Sequence, residues 1–193
     1  MSAPDRRTEL LDLAQTMIQE RGFNAFSFKD LANRVGIKTA SVHYHFPSKG
    51  ELGLQVMERY LGQLDLTLQI WAALPNETAR LRAFVSSYRE TEVKGAICLC
   101  GSMASDIQTL DAPMQTPISA YLKRSEAWVT ECVQGGLDSG EFHSMLPAQT
   151  LAMSLLPSLQ GALILSRAQR TGTLLAAVEQ SFFASLGVLV GPQ

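Results

Sequence analysis

Apolar residues recur at helical spacing along nearly the whole chain, and no segment alternates with the two-residue period of a strand. Leu10, Ala14, Met17 and Ile18 stand at i, i+4, i+7 and i+8, which is one stripe of an amphipathic helix. Runs of alternating Val, Ile and Thr are missing, as are Asn-Gly hairpin dipeptides. An all-α fold follows, because such a chain has only helix-on-helix packing with which to bury its stripes. Hydrophobic residues make up 46% of the 193, enough for a sizeable core.

Local stop and start signals divide this helical pattern. Gly22 is placed to close the first helix in the left-handed C-terminal position. Ser27-Phe28-Lys29-Asp30 has the form of a capping box and opens a short helix carrying Leu31, Ala32 and Val35. Gly36 stops that helix, and another runs from about Lys38 to Phe46. A second Ser-x-x-Glu box, Ser48 to Glu51, starts a long helix from about Lys49 to Ala73. Further breaks are expected at Pro75-Asn76, Lys94-Gly95, Asp111-Ala112-Pro113, Gly135-Gly136 with Gly140, Pro147 and Thr171-Gly172. Nine helices are predicted: three short ones in a domain of residues 1–50 and six in a domain of residues 51–193.

Charge is distributed unevenly between those two parts. The whole chain has 16 Lys and Arg against 18 Asp and Glu, whereas residues 1–50 hold 7 basic and 5 acidic side chains. A mildly basic front on an acidic body suits a DNA-reading head on a separate body. The N-terminus enters a charged stretch at once (Pro4-Asp5-Arg6-Arg7-Thr8-Glu9), so a secretory signal is not expected. The most membrane-like stretch, Leu174 to Val190, is interrupted by Glu179 and Gln180. Three cysteines, Cys98, Cys100 and Cys132, form no even disulfide framework, so a reducing cytoplasm is expected. Three histidines without metal-ligand spacing, and the lack of a nucleophile elbow, P-loop or dinucleotide fingerprint, argue against an enzyme, a metal site or a cofactor.

The front domain can bury a small core from Leu10, Ala14, Ile18, Phe23, Phe26, Leu31, Val35, Ile37, Val42 and Phe46. Val35-Gly36-Ile37 makes the corner, where glycine permits a positive φ. The helix after the corner turns only Val42 and Phe46 inward. Its other faces present Lys38, Thr39, Ser41, His43, Tyr44 and His45, groups that can bond base edges and phosphates in a major groove. Lys49, at the next helix start, is in reach of a phosphate. Bland alternatives stand beside these: solvated surface lysines, a core-edge Tyr44, and a His45 that packs on its neighbours.

Residues Phe26 to Leu52, FSFKDLANRVGIKTASVHYHFPSKGEL, closely resemble the N-terminal domain of the TetR (tetracycline repressor) family. The matching features are the Ser-capped helix with "LA", then "VGI", a short helix ending "YHF", and "SK" opening the fourth helix. The resemblance implies a nine-helix protein with a helix-turn-helix head. It implies a second-helix contact at Lys29, a recognition surface at Thr39, Ala40, Ser41, His43, Tyr44 and His45, and a backbone clamp at Lys49. His43 stands where the family usually has Tyr, and Lys38 where it has Ser or Thr. Tyr44 or Lys38 is the substitute for the phosphate contact of that Tyr.

What the resemblance implies for the body is a dimerisation and ligand-binding domain, a double-stranded operator as partner, and repression relieved by a small-molecule effector. Small residues on the last two long helices, about Pro147 to Gln169 and Thr173 to Leu189, suit a four-helix interface between two copies. These are Ala152, Ser158, Gly161, Ala162, Ser166, Ala176, Ala177 and Ala184; packing within one chain is the alternative. Trp71, Phe84, Tyr88, Cys100, Met103, Trp128, Met153 and Gln160 are candidate pocket residues for a hydrophobic effector, or else plain core. Cys98 and Cys100, at a helix start, are a candidate redox or electrophile sensor, against the alternative of two small buried hydrophobes. A helical adaptor with no DNA role is the remaining reading; it leaves the polar face of the short helix unexplained.

Overall fold

A computed structural model describes residues 5–188, and every regular element among them is helical. In chain order the α-helices are α1 (Arg6–Arg21), α2 (Phe28–Val35), α3 (Thr39–His45), α4 (Lys49–Ala72), α5 (Glu77–Val93), α6 (Leu99–Ser105), α7 (Ala112–Ser139), α8 (Ala148–Gln169) and α9 (Leu174–Ser185). Single 3-10 turns lie at Phe23–Ala25 and Ile107–Thr109. The order is the predicted one, and the fold is all-α. The expected end of the last helix at Leu189 lies outside the described residues.

Packing divides the chain into two compact units. One holds the residues up to Leu64 together with Leu99–Tyr121; the other holds Asp65–Cys98 and the residues from Leu122 onward. In the first, α1 packs on α2 and on α6, and α2 packs on α3. Leu10, Ala14, Ile18, Phe23, Phe26, Leu31, Val42 and Phe46 are buried as expected, joined by Leu11, Met17, Phe28 and Ala32. Val35 and Ile37 are only half-buried, because they flank the exposed corner glycine. Each fully buried Leu, Ile or Phe here contributes on the order of 1.5–3 kcal/mol by leaving water.

Two glycine expectations need correction. Gly22 closes α1 with a positive φ, but at φ 93° and ψ 156° rather than in the left-handed helical well. That extended region is open essentially only to glycine. Gly135-Gly136 does not break a helix: α7 continues through both to Ser139. The reason lies in packing. A Cβ on Gly136 would stand 2.0 Å from the ring of buried Phe142, and one on Gly135 would stand 3.3 Å from Glu77. The pair lets neighbours approach the helix backbone, while the stop is Gly140 at φ 76°.

In the second unit α8 packs against α5 and α9. Glu179, which interrupts the apolar stretch of α9, is itself buried and ion-paired with Arg82 and Arg89 of α5. Among the described residues, the helix apolar and long enough to cross a membrane is Ala148–Gln169. The Leu174–Val190 stretch is not it, since its helix has 12 residues. Leu151, Leu155, Leu159 and Leu163 bury one face of α8 inside the unit.

Candidate nucleic-acid interface

The corner between α2 and α3 is built from short-range bonds. Ser27 accepts the Asp30 backbone N–H at 3.3 Å, and the Asp30 carboxylate accepts the Ser27 backbone N–H at 2.7 Å, completing the capping box. The Ser27 hydroxyl, which also donates to that carboxylate at 2.6 Å, and then the Ser27 backbone N–H hold the Asp30 carboxyl below its ordinary value. Gly36 sits at φ 71° and ψ 36°, and Ile37 N–H returns to the Ala32 carbonyl at 3.0 Å. This closes α2 and lets the chain turn at once into α3. The second box is half of the expected form: Ser48 Oγ caps the Glu51 N–H at 3.0 Å, while the Glu51 carboxylate takes the Gln55 amide.

Only Val42 of α3 is buried, and Phe46 follows it into the core. The remaining side chains face outward: Lys38, Ala40, Ser41, His43 and Tyr44 are exposed, and Thr39 and His45 are half-buried. Tyr44 is 85% exposed, so it is not a core-edge aromatic. His43 is exposed yet oriented, its ring edge-on to buried Phe28 at 4.8 Å. His45 packs between Tyr44, at 5.2 Å, and Phe46, at 6.4 Å. Lys29 is exposed on α2. No acidic residue falls between Asp30 and Glu51, so this segment presents hydroxyls, imidazoles and ammonium groups without a carboxylate of its own to repel a phosphate.

Lys49 is placed differently from a free clamp. Its ammonium donates to the Phe26 carbonyl and lies 4.7 Å and 4.4 Å from the ring centroids of Phe23 and Phe26. Desolvation there pushes it below the ordinary 10.5, opposed by Asp106 and Asp30. Arg6 is a surface residue that sequence reasoning missed. It lines a depression of about 430 Å³ together with Ile37, Ala40, Ser41, Tyr44 and His45, and it pairs with Glu9 at 2.6 Å. Neighbouring Arg7 lies over the Phe46 ring at 5.4 Å. The only signal for either was the charged run at the start of α1.

Four of the candidate pocket residues, with Gln160, lie together in the second unit. Trp71, Phe84, Tyr88 and Trp128 make a continuous aromatic cluster with centroid spacings of 5.7–6.1 Å. Gln160 joins it, donating to the Tyr88 hydroxyl at 3.3 Å. Met153, 55% exposed, lies on the outer face of α8. Cys100 and Met103 are fully buried in the other unit, where Cys100 Sγ meets the Ile118 carbonyl at 3.5 Å. Cys98 is buried as well. Cys132 is pushed up to about 12, by burial first and then by Glu77.

The small residues of the last two helices split. Ala152, Ala162 and Ser166 are buried inside the chain. Ser158, Ala176, Ala177 and Ala184 stay exposed, with Gly161 half-exposed. Between α8 and α9 lies an apolar groove of about 610 Å³, lined by Leu155, Ser158, Gly161, Leu165, Ala177 and Phe182 among others.

Residues 10–56 match the family described as bacterial regulatory proteins, tetR family, and residues 78–182 match the tetracyclin repressor-like C-terminal domain. The chain is 26% identical over 170 residues to the HTH-type transcriptional repressor DhaR of Mycobacterium sp. (strain GP1), covering 85% of this chain and 83% of that protein. It is 41% identical over 86 residues to the HTH-type transcriptional repressor KstR2 of Rhodococcus jostii (strain RHA1), covering 44% and 42%. A TetR transcriptional regulator from Legionella pneumophila superposes with a TM-score of 0.87 at 26% identity, over 96% of this chain and all of that one.

Proposed function

Because the chain belongs to the tetR family of bacterial regulatory proteins, we propose that it is a cytoplasmic repressor. It binds a palindromic operator as a homodimer and leaves it when a small hydrophobic effector enters the body. The outward face of α3 carries this reading: seven residues of helix with only Val42 turned inward, on a surface free of acids from Leu31 to Gly50. Thr39, Ala40, Ser41 and His43 meet base edges in the major groove. Tyr44, Lys38 and Lys29 contact phosphates, and Arg6 adds a contact from α1. His43 is held by Phe28 as a base-edge donor, so the phosphate role of the usual Tyr passes to Tyr44 and Lys38. Lys49 and His45 act mainly by position, Lys49 by fixing Phe23–Phe26 ahead of α2.

The aromatic cluster with Gln160 suits an apolar effector that offers one polar group to the Tyr88–Gln160 pair. Burial of Cys98 and Cys100 favours a hydrophobic effector over an electrophile. The groove and small residues of α8 and α9 suit close approach of a second copy, giving two heads at the roughly 34–36 Å spacing of successive major grooves. Effector binding favours a conformer with a different head spacing, relayed through α4.

Gel-shift titration against the DNA upstream of the chain's own gene tests the reading. Specific binding whose logarithm falls linearly with the logarithm of salt concentration is expected. Absent or salt-insensitive binding refutes it and leaves the adaptor.

A further inference from the structure

At the C-terminal ends of α5 and α8, within the second unit, lies a recess of about 330 Å³ that shares no residue with the aromatic cluster. Glu92, Ala96, Leu163, Ser166, Arg167 and Arg170 are among its lining residues. Ser166 is 3% exposed, and its hydroxyl has no hydrogen-bond partner among the described residues. This is unusual for a helical serine, which normally returns its proton to a carbonyl one turn back. Two other serines of α8 do so, Ser154 to Leu151 and Ser158 to Ser154. Glu92 Oε1, also lining the recess, is likewise buried and unpaired among the described residues. A carboxylate oxygen can only accept, so this corner calls for a molecule that donates.

The recess also holds the other charge. Arg170 brings a guanidinium group, whose forked donors match a carboxylate. Arg170 closes α8 in the left-handed region, at φ 54° and ψ 44°, without glycine. Leu163, 1% exposed, and Ala96 supply an apolar wall. Unpaired acceptors, guanidinium donors and an apolar wall within this small volume describe one kind of molecule. We propose that the recess binds a small aliphatic amino acid. Its ammonium group meets Glu92 Oε1 and Ser166 Oγ, its carboxylate meets Arg170, and its side chain rests on Leu163.

Isothermal titration of the full-length protein with L-leucine tests the site. Two probes each lack one charge: 3-methylbutylamine has no carboxylate and 4-methylpentanoate has no amine. Saturable binding of L-leucine is expected, with each analogue weaker by about tenfold or more. Glu92→Gln and Ser166→Ala are expected to weaken L-leucine by about as much. Arg170→Gly also weakens it while relaxing the backbone, so it remains informative should a core variant fail to fold. Three results overturn the proposal: no saturable heat up to about 10 mM L-leucine, equal binding of either analogue, or unchanged binding by all three variants. DNA binding plays no part in this experiment, so its outcome is separate from that of the repressor reading.

Discussion

Replacing Gly161 by Arg separates the stability of one chain from its association with a second. Gly161 lies in the α8–α9 groove, and a Cβ added there meets nothing within 4 Å in its own chain. A side chain therefore starts into open space in the single protomer, and exchanging glycine for a good helix former stabilises α8 by about 0.5–1 kcal/mol. In a twofold interface the same change appears twice, once from each copy. Each unpaired guanidinium taken out of water costs several kcal/mol, so two copies cost at least about 4 kcal/mol, or roughly a thousandfold in the dimer dissociation constant. Gly62→Arg is the matched control. It makes the same exchange on α4, where a Cβ also meets nothing within 4 Å. Sedimentation velocity over a concentration series should show Gly161→Arg as a helical monomer by circular dichroism with weakened operator binding, and Gly62→Arg as wild type. A Gly161→Arg dimer within about threefold of the control's affinity would refute the reasoning, because the groove would then not be the interface.

Other expectations concern the head and the thiols. Ser27→Ala removes the hydroxyl that caps Asp30 and should cost about 1 kcal/mol, a melting shift of about 2–4 °C for a protein of this size; an unchanged melting curve would rule out the cap's contribution. Lys49 titrates below 10.5 because it is desolvated, so the folded head binds fewer protons than the unfolded chain between the depressed value and 10.5. Stability should be level below that window and rise with pH through it, and Lys49→Met should flatten the dependence measured by denaturant titration. Arg6→Ala should lower affinity for all sequences and reduce the salt slope by about 1.8 per dimer, since each protomer would neutralise one phosphate fewer. With all three cysteines buried and Cys132 at about 12, thiol labelling at pH 8 should be about a hundredfold or more slower in the native protein than in denaturant. An α,β-unsaturated aldehyde should accordingly leave DNA binding of wild type, Cys98→Ser and Cys100→Ser alike.

Most of the architecture was legible in the sequence because its causes act over a few residues. The capping box joins positions three apart, the Gly36 corner depends on one residue's φ, and the helical stripes repeat every three or four positions. The outward face of α3 follows in the same way, from the one turn between Val42 and Phe46. Tertiary structure decided what depends on distant partners. Lys49 is drawn inward by Phe23 and Phe26. Gly135-Gly136 seats Phe142 rather than breaking α7. Arg6 reaches the surface of α3 across a separation that no local pattern encodes. The same holds for the body, where Ser166 is buried against a recess while Ser158 turns out. Periodicity marks which positions share a face; only the packed neighbours determine whether that face meets core, partner or ligand.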